Sequence, residues 1–275
     1  MDVITDFVKI LELKRYSKQT IASYKGHLLM VKTHFKTKSF NSISDEELFE
    51  FIYHLVTTKK ISASYQRQIV GSLKLFYKEL FNRDIPFQYL KVTQRENSLP
   101  VVLSKNEVYR IIENTNNLKH KAMISLIYSA GLRIGELLAL KKEDIDSERM
   151  LIHIRNAKGK KDRYTILSKK ALQLLRAYYK KYTPGVYLFE GQKGGKYSAE
   201  SAGQLFKRAA KKANIQKHVT LHSLRHSFAT HLLESGVGIA HIQKLLGHAN
   251  IQTTLIYTQI ARDALQQIKS PLDQD

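Results

Sequence analysis

The chain has 275 residues, 43% of them hydrophobic, enough for one large core or two ordinary ones. Its 45 Lys and Arg against 24 Asp and Glu leave a formal charge of +21, which points to a polyanionic partner, nucleic acid first. There is no cysteine, which excludes disulfides, thiolate metal sites and thiol nucleophiles; any covalent catalysis must use another side chain.

The amino terminus, MDVITDFVKILELKRYSK, lacks the basic start and continuous apolar core of a signal peptide. No apolar run approaches the roughly 20 residues that a membrane span requires. The expectation is a cytoplasmic protein with no membrane partner.

In chain order, Ile4, Phe7, Val8, Ile10 and Leu11 recur at helical spacing, and Ser17 stands where an N-cap would open a second helix through Tyr24 and Leu28. Ser44 with Glu47 is a capping-box pattern ahead of Leu48, Phe49, Ile52 and Leu55. Ser62 or Ser64 opens a stretch carrying Ile69, Leu73, Phe76, Tyr77 and Leu80. This predicts an all-helical domain of about four helices over residues 1–90. Residues 91–100, KVTQRENSLP, are polar and aperiodic and stop at a proline, so they are predicted to be a linker. Residues 1–90 carry 14 Lys and Arg against 9 acidic residues, and residues 91–275 carry 31 against 15, so most of the excess charge lies in the second part.

The second domain, residues 101–275, opens with Ser104 as N-cap ahead of Val108, Ile111 and Ile112. Helices are predicted from about Lys119 to Ser129 and from Ile134 to Ala139. Met150–Ile154 and Tyr164–Leu167 are rich in β-formers and flank the turn-like NAKGKKD, which predicts a β-hairpin with a basic tip. Helices resume over Lys169–Lys180, Ser201–Ala213 and Leu224–Ser235, with Gly236 as a stop, and continue through the remaining residues. The predicted fold class is mainly α: an N-terminal helical domain and a mostly α second domain with a small antiparallel sheet.

Three phrases in the second domain hold the chemistry: Gly131-Leu-Arg-Ile-Gly-Glu-Leu137, Leu221-His-Ser-Leu-Arg-His-Ser-Phe-Ala-Thr-His231, and Leu246-Gly-His-Ala-Asn-Ile-Gln-Thr-Thr-Leu-Ile-Tyr-Thr258. Each residue has an ordinary explanation when taken alone. An arginine that opens a helix is usually a surface or capping residue, and Tyr257 between apolar neighbours reads as a core aromatic. His222 and His226, four apart, invite a zinc reading, but no HExxH glutamate or third ligand accompanies them, so no metal and no cofactor is expected.

Together the phrases resemble the tyrosine recombinase, or phage integrase, family. Its pattern is an arginine in a GLRxxEL phrase, a lysine at a β-turn, His-x-x-Arg, a histidine in LGH, then a tyrosine; here these are Arg133, Lys158, His222, Arg225, His248 and Tyr257. The Leu-Pro that ends the linker and the Leu103-Ser104-x-x-Glu107 phrase are also family-like, so the resemblance spans the chain. It is nearest to the short Xer-like forms without an arm-binding domain.

The resemblance implies an N-terminal SAM-like core-binding domain and a catalytic domain, forming a clamp on duplex DNA. It implies site-specific recombination through a 3′-phosphotyrosyl intermediate and a Holliday junction, with a homotetramer on DNA and a possible second recombinase or accessory protein.

The residue types suit that reaction. Tyr257 is the implied nucleophile, whose aryl ester would store the bond energy without ATP or metal. The forked guanidiniums of Arg133 and Arg225 match phosphate oxygens, and His248 adds a hydrogen bond. Lys158 is the implied acid for the leaving 5′ oxygen, with Lys160 and Lys161 as rivals or phosphate contacts. His222, three residues before Arg225, is expected to face the same phosphate and could take the Tyr257 proton, while Glu136 is either an orienting partner or a solvated carboxylate. Candidate DNA contacts are Lys160, Lys161 and Arg163 at the hairpin and Lys14, Arg15, Lys18, Lys25, Arg67 and Lys74 on the N-terminal helices, each of which could equally be a solvated charge. Residues Ile260 to Ile268 have apolar residues at helical spacing and either dock on a neighbouring protomer or pack on their own domain. Two other readings compete: type IB topoisomerase-like relaxation, and a non-catalytic DNA-binding accessory protein.

Overall fold

The computed structural model describes residues 2–86, 99–155 and 162–260. Most of the expected linker, the basic hairpin tip with Lys158, Lys160 and Lys161, and residues 261–275 lie outside the described residues. The chain divides into two compact units, residues 1–98 and 99–275.

In the first unit, α1 (Val3–Leu13), α2 (Lys18–His34), α3 (Asp45–Thr57) and α4 (Ala63–Phe81) are joined by short connections, with one 3-10 turn at Phe40–Ser42. The expected caps form. Ser17 accepts from the Thr20 amide, and Ser44 and Glu47 complete both halves of a capping box. Ser62, not Ser64, opens α4, because its hydroxyl reaches the Tyr65 amide. Asn82 ends that helix in the left-handed region, at φ 48°. Ile4, Phe7, Leu28, Leu48, Ile52, Ile69, Leu73 and Phe76 are buried together, each worth about 1.5–3 kcal/mol on transfer from water. Inside this core His27 Nδ1 meets Ser72 Oγ at 2.9 Å, which fixes α2 against α4.

The second unit starts with α5 (Lys105–Glu113), where Ser104 and Glu107 again form a capping box. Next comes α6 (Leu118–Ala130), capped by Asn117 and buried continuously from Ala122 to Ile127 because helices pack on opposite sides of it. Its partners are α8 (Lys169–Tyr182) and α10 (Leu221–Glu234). Between them in sequence lie α7 (Ile134–Ala139) and an antiparallel sheet of β1 (Ile145–Asp146), β2 (Leu151–Ile154) and β3 (Arg163–Ile166), in that order. The register sets Ile154 opposite Arg163, the described pair nearest in sequence to the basic segment. The remaining helices are α9 (Ala199–Lys212), α11 (Ile239–Leu246) and α12 (Gln252–Leu255).

Four details depart from the sequence expectation. β1 is an additional strand, too short to show a pattern of its own. Helix α9 starts earlier than Ser201 because Ser198 caps it on the Ser201 amide. Helix α10 starts at Leu221 rather than Leu224, since Thr220 and Ser223 cap each other, and this puts His222 in its first turn. The carboxyl-terminal stretch is interrupted by Gly247, in the left-handed region, between α11 and α12.

Candidate active site

Arg133 ends the turn after α6 and stands at the N-cap of α7. Glu136, three residues on, reaches back to accept from the Arg133 amide at 2.8 Å, the N-terminal half of a capping box. The same carboxylate is 9% exposed and takes two hydrogen bonds from Arg163, at 2.7 and 2.9 Å, and one from Arg133 Nη1 at 2.8 Å. Arg225 Nη1 lies 3.8 Å from it. One buried anion thus gathers three guanidiniums. Burial opposes its charge, but the hydrogen bonds and charge of Arg163, with those of Arg133, outweigh that and hold it at about 2.

Arg225, on the second turn of α10, is 1% exposed. It donates to the Gly131 carbonyl, to the Leu246 carbonyl at 2.7 Å and, through Nη2, to His248 Nε2 at 3.1 Å. It therefore ties the ends of α6 and α11 to α10, and the arrangement depends on two glycines. Gly131, at φ +64°, has no room for a side chain, since a Cβ would stand 2.5 Å from the Phe228 ring. Gly247, at φ +63°, faces the Arg163 side chain, and a Cβ there would stand 2.7 Å from its Cδ.

His248 Nδ1 lies 2.9 Å from Thr254 Oγ1. With Arg225 donating to Nε2, a neutral His248 carries its proton on Nδ1, toward Thr254. Tyr257 follows α12 and is 2% exposed, packed with Phe228, Ala229, Ile242 and Leu246. Its ring lies nearly parallel to that of His248, centroids 6.5 Å apart at 14°. Its hydroxyl meets His226 Nδ1 at 3.1 Å. His226 in turn stands edge-on to His222, centroids 4.4 Å apart. His222 sits at the solvent rim of a cavity of about 730 Å³ that Arg133, Glu136 and Arg155 also line.

The electrostatics favour uncharged imidazoles and a protonated phenol. Burial, then His222 and Arg225, lower His226 to about 4; burial, then Arg225, Arg133, Arg163 and His222, lower His248 to about 4. His222 is also lowered, by desolvation and then by Arg225 and Arg133. Burial raises Tyr257, against the pull of Arg225 and Arg133.

Of the six residues singled out from the sequence, the structure brings Arg133, His222, Arg225, His248 and Tyr257 to one place; Lys158 lies outside the described residues. Two assignments change. The group against the tyrosine hydroxyl is His226, not His222. Residues four apart lie on the same helical face, so spacing offered both imidazoles, and only the packing of the chain after α12 against α10 selects between them. Arg163 is not placed as a surface contact for DNA: its side chain is 9% exposed, and its three guanidinium nitrogens bond Glu136 and the Leu245 carbonyl. Glu136 emerges as the partner that orients the arginines rather than a solvated charge. Among the described residues there is no group of three or more His, Cys, Asp or Glu arranged to hold a metal ion.

On the N-terminal unit, Lys14 pairs with Glu79 at 2.5 Å. Arg15, Lys18, Lys25, Arg67 and Lys74 are exposed, with Lys18 and Lys25 seven apart on α2 and Arg67 and Lys74 seven apart on α4, each pair on one helical face.

Comparison with known proteins gives the family. Residues 101–263 match the phage integrase family, and residues 4–86 match the phage integrase N-terminal SAM-like domain. The chain belongs to the phage integrase family. Tyrosine recombinase XerA of Pyrococcus horikoshii is 35% identical over 278 residues, covering 98% of this chain and 94% of that protein. A crystal structure of XerA recombinase aligns at 31% identity with a TM-score of 0.58, over 97% of this chain and 96% of that one. The XerH recombinase, in a post-cleavage complex with palindromic difH substrate, shares the fold at a TM-score of 0.70 and 24% identity, covering 90% of this chain and 78% of that one. This phage integrase family member has, among its described residues, no helix long and apolar enough to cross a membrane.

Proposed function

We propose that the chain is a tyrosine recombinase that cuts and rejoins duplex DNA at a specific site, with Tyr257 forming a 3′-phosphotyrosyl bond. One observation carries the assignment of residues: the Tyr257 hydroxyl lies in a single cluster with His226, His248, Arg225 and Arg133, drawn from positions 124 residues apart in sequence. Family membership and the DNA complexes formed by proteins of this fold support duplex DNA as the partner.

Arg133 and Arg225 hold the non-bridging oxygens of the scissile phosphate, an arrangement prepared by Glu136 before DNA arrives. A phosphate oxygen entering beside Arg225 takes over the Nη2 bond now made to His248. That frees Nε2, which in its protonated form donates to the same oxygen. His222, at the cavity rim, contacts the phosphate from the solvent side. Lys158, which follows β2 in sequence, protonates the leaving 5′ oxygen, and Lys160 and Lys161 contact neighbouring phosphates. Arg15, Lys18, Lys25, Arg67 and Lys74 bind the DNA backbone from the N-terminal unit. Four copies act on two sites and exchange strands in pairs through a Holliday junction, with or without a second recombinase.

The test is covalent capture. Wild-type protein and Tyr257→Phe are mixed with fragmented genomic DNA of the source organism, denatured in detergent, and the attached DNA is sequenced. DNA held by wild type alone at a recurring site is the expected result. Equal recovery with Tyr257→Phe would remove Tyr257 as nucleophile. An adduct site that relaxes supercoiled DNA without exchanging strands would favour a topoisomerase instead.

A further inference from the structure

We propose that His226 is a catalytic residue, the base that takes the proton of Tyr257 as the phenol oxygen attacks the scissile phosphorus; this rests on the recombinase reading above. Among the described residues, His226 Nδ1 is the side-chain atom in hydrogen-bond contact with Tyr257 Oη, at 3.1 Å. In the tautomer with its proton on Nε2, the phenol donates and Nδ1 accepts. The alternatives are engaged elsewhere. His248 accepts from Arg225 on one nitrogen and faces Thr254 with the other. Glu136 is occupied by arginines. His222 meets Tyr257 only through the intervening His226 ring.

The step balances. The Tyr257 O–H bond breaks and its proton passes to Nδ1, giving an imidazolium, while Oη bonds to phosphorus. The bond from phosphorus to O5′ breaks, and O5′ takes a proton from Lys158. Religation reverses each transfer, so the site needs no outside acid or base. The surroundings also couple the step to DNA. His226 is flanked by His222 and Arg225 on its own helix, by Tyr257 from the chain after α12, and across the tyrosine ring by His248 after α11. Burial and the Arg225 charge keep it neutral and a weak base without DNA. A phosphate anion against Arg225 offsets that charge and strengthens the base, so Tyr257 keeps its proton until its target is in place.

The experiment compares wild type with His226→Asn, whose amide reaches the place of Nδ1 and keeps a hydrogen-bond partner but cannot accept a proton. The probes are genomic DNA fragments and then a duplex bearing the recovered cleavage site, with or without sulfur replacing the bridging 5′ oxygen. The variant is expected to bind DNA like wild type and to form the adduct about 100-fold more slowly near neutral pH. Its rate should climb with pH as hydroxide replaces the missing base, and it should stay slow on the sulfur-bridged duplex, whose leaving group needs no acid.

An adduct rate within about threefold of wild type, with the wild-type pH profile, would overturn the proposal. So would a defect cured by the sulfur leaving group, which would put His226 on the acid side. Wild type gives a measurement independent of how the variant folds. On the sulfur-bridged duplex its rate should fall in acid and level off above the His226 pKa; a steady rise to the phenol pKa would overturn the assignment. Failure of wild type to form any adduct, with DNA binding intact, would sink the recombinase reading and this proposal together.

Discussion

Glu136 shows how one side chain can serve a helix cap and a reaction centre at once. Its carboxylate caps α7 and holds Arg133 and Arg163 while lying near Arg225, so Glu136→Ala would leave three cations facing one another. The expected loss is about 3–5 kcal/mol in denaturant unfolding, together with loss of adduct formation even if the protein still binds DNA. The imidazoles make a separate prediction. His226 and His248 have folded pKa values depressed to about 4 from 6.5, so the stability tied to their neutral forms is present above pH 6.5 and lost as pH falls toward 4. Glu136, depressed from 4.5 to about 2, follows the same sign: its contribution is full above 4.5 and lost toward pH 2. Thermal unfolding of the whole chain should therefore fall across two acid windows, and Glu136→Gln should weaken the second. A melting temperature constant from pH 7 to pH 4 would contradict the histidine part.

At the scale of elements, the site is assembled where helices end. Arg133 lies beyond the end of α6, His248 beyond the end of α11 and Tyr257 beyond α12, while Arg225 and His226 project from the early turns of α10. Two left-handed glycines make these ends compatible. Gly131→Ala forces a side chain against Phe228 at an unfavourable φ and displaces the carbonyl that Arg225 uses, so a loss of about 1–3 kcal/mol should come with reduced adduct formation. A cap that contributes no side chain to the site gives the contrast: Ser104→Ala should cost about 1 kcal/mol in urea unfolding and leave the adduct rate per folded molecule unchanged. Equal stability of Gly131→Ala and wild type would mean that the α6 end can move without harm. Such helix caps are readable from sequence because their hydrogen bonds span three residues. That locality explains why Ser17, Ser44 and Ser104 were recognisable, whereas β1 was not: two residues give no period, and its pairing with β2 is a contact between strands.

For the whole molecule, the dominant property is charge. An excess of +21 over two units, with exposed cations on α2 and α4, predicts DNA affinity governed by counterion release. Binding to a generic duplex should weaken by about 10³-fold or more between 50 and 200 mM salt if six or more phosphates are contacted. Removing Lys18, Lys25, Arg67 and Lys74 together should flatten that salt dependence and spare the catalytic unit's stability. A slope unchanged in the quadruple variant would place the phosphate contacts elsewhere.

By itself the sequence determined the helical class of both units, the caps of α2, α3 and α5, the excess of positive charge and five of the residues that meet in the described site. Each of these is written in local spacing, in net charge or in phrases that resemble the family. Tertiary structure alone decided that Glu136 is the hub of an arginine cluster, that Arg163 is held inside rather than offered to DNA, and that His226 rather than His222 faces the tyrosine. The physical reason is direction: which way a guanidinium or an imidazole points depends on helix starts, glycine turns and packing between α6, α10 and α11. None of these is fixed by the distance along the chain between two residues.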